Sequence, residues 1–189
     1  MNPLQKTTKI LILILIVSFG LSLGYSFFYR IEPVVDAQAY DRIALNIIGG
    51  NGFVEDAAKD PLFDHGITRA GPAYEYFLAL IYKLFGHYYG VVWFIQALLH
   101  AGTAYLIFLI CKNIFSTRGA APAGGQGYAF EEKEFGAVIG LIAAAIIGFH
   151  PDLIEISAML MTETLYIFLI TLSILCFVKI WRVPQNLLL

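Results

Sequence analysis

The chain has 189 residues, of which 59% are hydrophobic and 14% charged, with a mean hydropathy of +0.73 and a formal net charge of −2. Those proportions exclude a soluble globular domain and describe an integral membrane protein. With no basic run longer than two residues there is no footing for nucleic acid, so membrane lipid is the expected partner.

Residues 10–29 are an apolar run about 30 Å long as a helix, preceded by Lys6 and Lys9 and no acidic residue. The aromatic end of the run (Tyr25, Phe27, Phe28, Tyr29) and the lack of a small-x-small cleavage site favour an uncleaved anchor over a signal peptide. Residues 30–87 follow, charged and too long for a turn. Within them, 37–48 read as an amphipathic helix on the membrane plane. Tyr40, Ile43, Ala44, Ile47 and Ile48 share its apolar face, Gln38, Asp41, Arg42 and Asn46 its solvated one, and Gly49 stops it. Asp36 stands just before this helix and Gly49-Gly50-Asn51-Gly52-Phe53 just after it. Turns at Asn51-Gly52 and Asp60-Pro61, then Arg69-Ala-Gly-Pro72, lead to a helix over 73–85. This helix carries Glu75 and Lys83, is short for a crossing, and is expected to lie in or dip into the outer interface.

Three further apolar segments are expected to cross the bilayer, at 88–111, 135–150 and 164–181. Four crossings gather Lys6, Lys9, Lys112, Arg118, Lys133, Lys179 and Arg182 on the cytoplasmic side, seven of the twelve cations. A fifth crossing at 73–85 would leave only Lys6, Lys9 and Lys83 there. The orientation rule therefore predicts a multi-pass protein of the cell (inner) membrane with a cytoplasmic N-terminus and with Asp36 and Glu163 outside. The fold class is all-α polytopic, about four transmembrane helices plus juxtamembrane helices in a long first outer loop. The inner loop 112–134, with Gly119-Ala-Ala-Pro-Ala-Gly-Gly-Gln-Gly127, reads as a linker, since its glycines lack phosphate-loop spacing and context. The stretch 151–163 reads as an outer loop. Cys111 and Cys176 have no paired spacing and are taken as structural. His65 and His100 lack partners at ligand spacing, and His150-Pro151-Asp152 is better explained as a helix end at the interface than as a metal pair.

Carboxylates at a membrane surface suit a reaction on a lipid-linked substrate. A hydroxyl acceptor needs a carboxylate within hydrogen-bond reach to take its proton, and Asp36 is placed for that, a reading favoured over simple capping of its helix. Glu163 is flanked by Leu160, Met161, Leu165 and Tyr166, where a carboxylate usually serves a polar cavity. Arg42 and Arg69 carry the planar fork that matches phosphate oxygens, and Arg69 equally suits anchoring to lipid headgroups.

An anchor helix is followed by Asp36-x-x-x-Tyr40-x-x-x-Ala44, Gly50-Asn51-Gly52-Phe53 and Arg69-x-x-Pro72-x-Tyr74 leading to Leu84-Phe85-Gly86. Gln96-Ala-Leu-Leu, His150-Pro151 and Thr162-Glu163 complete a set spread over nearly the whole chain. In order and spacing this set resembles the polytopic lipid-phosphate-sugar glycosyltransferases of the GT-C fold. In particular it is similar to the bacterial relatives of dolichyl-phosphate-mannose protein mannosyltransferases and of the aminoarabinose transferase. The resemblance implies a GT-C-like N-terminal module that moves a sugar, with inversion, from a polyprenyl-phosphate donor to an acceptor on the outer face. It implies Asp36 as general base or as ligand of a divalent cation, Glu163 as a second acid of the same cavity, and Tyr40, Arg42, Arg69 and Tyr74 as substrate-binding. Many relatives carry Asp-Glu at the first motif, whereas Ala37 follows Asp36 here, so a second carboxylate would come from Asp41, Glu32 or elsewhere. Asp41 itself is expected to be solvated rather than catalytic. Relatives are longer, so the chain is expected to be the N-terminal portion of a larger enzyme, inactive alone. Neither the sugar nor the acceptor has a signature in the sequence.

Two non-catalytic readings stand beside this one. In a small transporter or lipid-binding membrane subunit, Asp36 and Glu163 would form a proton or cation path, but the polarity of this chain is concentrated in its external loop rather than at midmembrane. In a scaffold, Gly140, Ala143, Ala144 and Gly148 would serve helix packing.

Overall fold

The computed structural model describes residues 3–56, 58, 71–115 and 128–181. Among these residues every regular element is an α-helix: α1 (Pro3–Tyr29), α2 (Asp36–Ile48), α3 (Pro72–Phe85), α4 (Tyr89–Phe115), α5 (Tyr128–Gly148), α6 (Pro151–Ala158) and α7 (Thr162–Trp181). Arg69, His65, Arg118, Arg182 and the Asp60-Pro61 turn lie outside the described residues, as does most of the expected inner linker.

Three helices are long and apolar enough to cross a bilayer, Gln5–Tyr29 of α1, α4 and α7. A fourth crossing arises if Phe135–Gly148 and Pro151–Ala158, bent by 52° at their junction, act as one broken span. The chain is thus a helical, multi-pass membrane protein. At 14 residues, α3 is not among the spanning helices, and Pro72 at its first position and Gly86 (φ 82°) at its end set its limits. The stretch 151–163, expected as a loop, is instead mostly helix α6. Pro151 has no N–H to give the preceding turn, so α5 stops at Gly148, and the same proline starts α6.

Helix α4 is apolar on all sides and central, packing against α1, α5 and α7. Leu11 and Ile14 of α1 meet Ala104 and Phe108 of α4 and Ala144 of α5, whereas α7 joins through Leu175 against Leu106 and Ile110. Helices α4 and α5 approach closely at Gly140, where a Cβ would fall 2.8 Å from the Phe108 ring and 2.9 Å from its carbonyl oxygen. Further along α1 the buried stripe becomes polar, with Ser18, Ser22 and Ser26 all fully buried and Ser18 set against Gly148. At this end of the bundle α2 packs on α3. Tyr40, Ala44, Tyr74, Leu78 and Tyr82 form a common core there with Val92 of α4 and Leu160.

Candidate functional site

Helix α2 begins with a local irregularity. Val35, its N-cap residue, is β-branched yet holds φ 49° and ψ −109°, a conformation L side chains rarely adopt and one that costs about 1–3 kcal/mol. The turn aims Asp36 into the first turn of α2, where the helix dipole favours an anion. Residues 31–37 and 159–161 then enclose a cleft of about 210 Å³, with Glu32 and Asp36 as its acidic groups and Pro33, Val34, Val35, Leu160 and the methionines as apolar wall. The chain just before α7 therefore meets the chain just before α2. Glu163 follows two residues beyond the cleft wall, is half-buried, and accepts a hydrogen bond from Thr162 Oγ1 at 3.3 Å.

Asp41 occupies a different position from the solvated one expected of it. It is 8% exposed. Its Oδ1 accepts from the Tyr82 hydroxyl at 2.6 Å and meets His87 Nε2 at 2.9 Å, while Oδ2 accepts from the Tyr89 hydroxyl at 3.0 Å. The His87 ring is held edge-on between Tyr82 and Tyr89. Burial, then the hydrogen bond to Asp41, pushes the Tyr82 hydroxyl far above the tyrosine range, so it remains a donor. Asp41 thus ties α2 to the α3–α4 turn. The physical reason for the correction is that three donors supply what water would, which removes the cost of burying the carboxylate on this side of α2.

A second polar joint centres on Gln96 of α4, fully buried. Its Oε1 accepts from the Tyr74 hydroxyl at 2.6 Å, and its Nε2 donates to the carbonyls of Ser157 at 2.8 Å and Met159 at 2.7 Å. One turn later His100 Nε2 lies 3.3 Å from the carbonyl of Gly148. The break in the α5–α6–α7 path takes these carbonyls out of the regular helical ladder, and side chains of α4 donate to them, alongside the Met161 N–H that the Met159 carbonyl also accepts at 2.9 Å. Helix α3 adds Glu75, fully buried with neither side-chain oxygen hydrogen-bonded among the described residues, and burial raises its carboxyl above the ordinary value.

The residues expected to bind substrate are dispersed. Tyr74 is buried and engaged with Gln96. Burial first, and then the Glu163 carboxylate, hold its hydroxyl protonated well above the tyrosine range. Tyr40 is 7% exposed with its ring edge-on to Tyr74 at 5.7 Å. Arg42 is exposed and sits 3.9 Å from Glu55, a loose surface pair. Arg69 lies outside the described residues. Asn46 and the glycine-rich turn are structural: Asn46 Nδ2 donates to the carbonyls of Val54 and Glu55, Asn51 bonds back to Asn46, and Gly50 and Gly52 take positive φ. Among the described residues no three histidine, cysteine, aspartate or glutamate side chains gather as a metal site, so no step is assigned to a divalent cation.

Of the expected pair, Asp36 lines the cleft together with Glu32, and Glu163 does not line it but follows Met161 of its wall by two residues. Asp41, Glu75, Tyr82, His87 and Tyr89 were not expected as a group. The one local signal for them is four hydroxyl and imidazole donors within eight residues around Gly86, namely Tyr82, His87, Tyr88 and Tyr89. No known protein family, curated protein or solved structure matches the chain.

Proposed function

We propose that the protein is a glycosyltransferase of the cell membrane, N-terminus cytoplasmic, that uses a polyprenyl-phosphate sugar as donor on the outer face. The observation that carries this reading is the cleft of about 210 Å³ lined by two acidic residues, Glu32 and Asp36, among otherwise apolar ones. Such a cleft suits a substrate with a polar head on a lipid tail. The Asp36 carboxylate makes no hydrogen bond among the described residues and so keeps its lone pairs for an acceptor hydroxyl. In the reaction the acceptor oxygen bonds to the anomeric carbon as the carbon–oxygen bond to phosphate breaks. The acceptor proton passes to Asp36 and polyprenyl phosphate leaves. Glu163, opening α7 beside the cleft wall, adds negative charge at its rim, and the mobile electron pair ends on the leaving phosphate.

The test uses the protein expressed from its native gene in its own membranes, supplied with polyprenyl-phosphate mannose and polyprenyl-phosphate aminoarabinose carrying radiolabelled sugars. Asp36→Asn is expected to lower label transfer by about 10²–10⁴-fold, the range of a general base, at unchanged membrane insertion. Equal transfer by wild type and variant would reduce Asp36 to a helix-start residue. No transfer from either donor by the wild type would overturn this donor assignment.

A further inference from the structure

Between α4, α6 and α7 lies a second, much smaller cavity, lined by His100, Thr103, Leu153, Ile156, Thr164 and Ile167. The space it offers to a water-sized sphere is about 10 Å³, room for one water molecule. Thr164 is 6% exposed and its Oγ1, fully enclosed, has no hydrogen-bond partner among the described residues. A buried hydroxyl left so is costly in an apolar bundle.

We propose that one ordered water molecule is an integral part of this bundle, held between His100, Thr103 and Thr164. The hydrogen-bond bookkeeping closes on it. A carbonyl only accepts, so the His100 Nε2 that bonds the Gly148 carbonyl carries the proton, and Nδ1 of the neutral ring is an acceptor. The Thr103 hydroxyl spends its hydrogen on the Leu99 carbonyl at 2.9 Å and keeps lone pairs free. Thr164 has a hydrogen to give. The water donates to His100 Nδ1 and to Thr103 Oγ1 and accepts from Thr164 Oγ1, about three hydrogen bonds, the usual number for a buried water. It links α4 to α7. It is a structural ligand, independent of the transfer reaction.

The experiment is hydroxyl-radical footprinting of the whole protein in lipid nanodiscs, where radicals generated from bound water oxidise the side chains beside it. His100, 4% exposed, is expected to be oxidised several-fold faster than the equally buried Phe108 of the same helix, after correction for intrinsic reactivity. Thr164→Val should lower that yield several-fold, and Thr164→Ser, which keeps the hydroxyl, should restore it. His100 oxidised no faster than Phe108 in the wild type overturns the proposal, as does a Thr164→Val yield equal to wild type. The wild-type comparison decides the matter even if the valine variant fails to fold.

Discussion

Replacing Gln96 by Leu keeps volume and removes both ends of the joint between α3, α4 and the α6–α7 link. Three hydrogen bonds of 2.6–2.8 Å disappear, leaving the Tyr74 hydroxyl and the Ser157 carbonyl without the partner Gln96 gave them, while the Met159 carbonyl keeps the Met161 N–H at 2.9 Å. At about 0.6 kcal/mol per bond, the average for side-chain hydrogen bonds within membranes, the loss is about 2 kcal/mol. Counted as stranded buried groups at about 1–3 kcal/mol each it is larger, and relaxation of the carbonyls brings the expectation to about 3 kcal/mol. For a chain of this length that is a fall in melting temperature of about 6–12 °C. The assay is thermal unfolding in mild detergent, run as a double-mutant cycle with Tyr74→Phe. The two substitutions should couple by about 1 kcal/mol, because the second removes a partner already lost. A Gln96→Glu variant should be worse than Gln96→Leu near neutral pH, since a carboxylate oxygen would face two carbonyl oxygens. A Gln96→Leu loss below about 1 kcal/mol, with strictly additive behaviour alongside Tyr74→Phe, would refute the view that α4 supplies the bonds the broken path lacks.

Glu75 gives a prediction with a definite sign. Its folded-state carboxyl is raised, so the protonated form is favoured by the fold. Its full contribution is present below the unfolded value near 4.5 and is lost as pH rises through the raised folded value. Melting temperature should therefore rise on acidification from neutral pH toward 4.5, and Glu75→Gln should be more stable than wild type at pH 7 and show a flatter profile. A parallel profile for the two proteins would remove Glu75 from the account. Asp41→Ala strands the Tyr82 hydroxyl and frees His87, costing the α2–α3 joint about 2 kcal/mol, or about 30-fold in local opening. Hydrogen exchange at the amides of 37–48 should quicken accordingly, and unchanged protection would show that apolar packing alone holds α2.

The spans were legible because an apolar run of spanning length needs no partner to be recognised, and α1, α4 and α7 fall where hydropathy puts them. The apolar face of α2 was equally legible at Tyr40, Ile43 and Ala44, all buried. Asp41 was not, because period alone assigns it to the polar side, and the donors that make its burial tolerable lie 41–48 residues away. His150-Pro151 was visible as the end of a helix, but a helix resuming immediately at a 52° bend is set by tertiary packing. The candidate site divides in the same way. Asp36 and Glu163 came from local context, whereas Glu32 enters only through the return of residues 159–161 to the start of α2.

The bend between α5 and α6 has a consequence for how the chain is made. The carbonyls of Gly148 and Ser157 find their donors on α4, which precedes them in the sequence. A segment with such groups is poorly suited to enter lipid alone. Because synthesis delivers α4 first, Gln96 and His100 are already in the membrane when the broken segment leaves the ribosome. The chain order thereby turns an insertion problem into a docking event, and moving α4 behind α7 by circular permutation would bring the problem back.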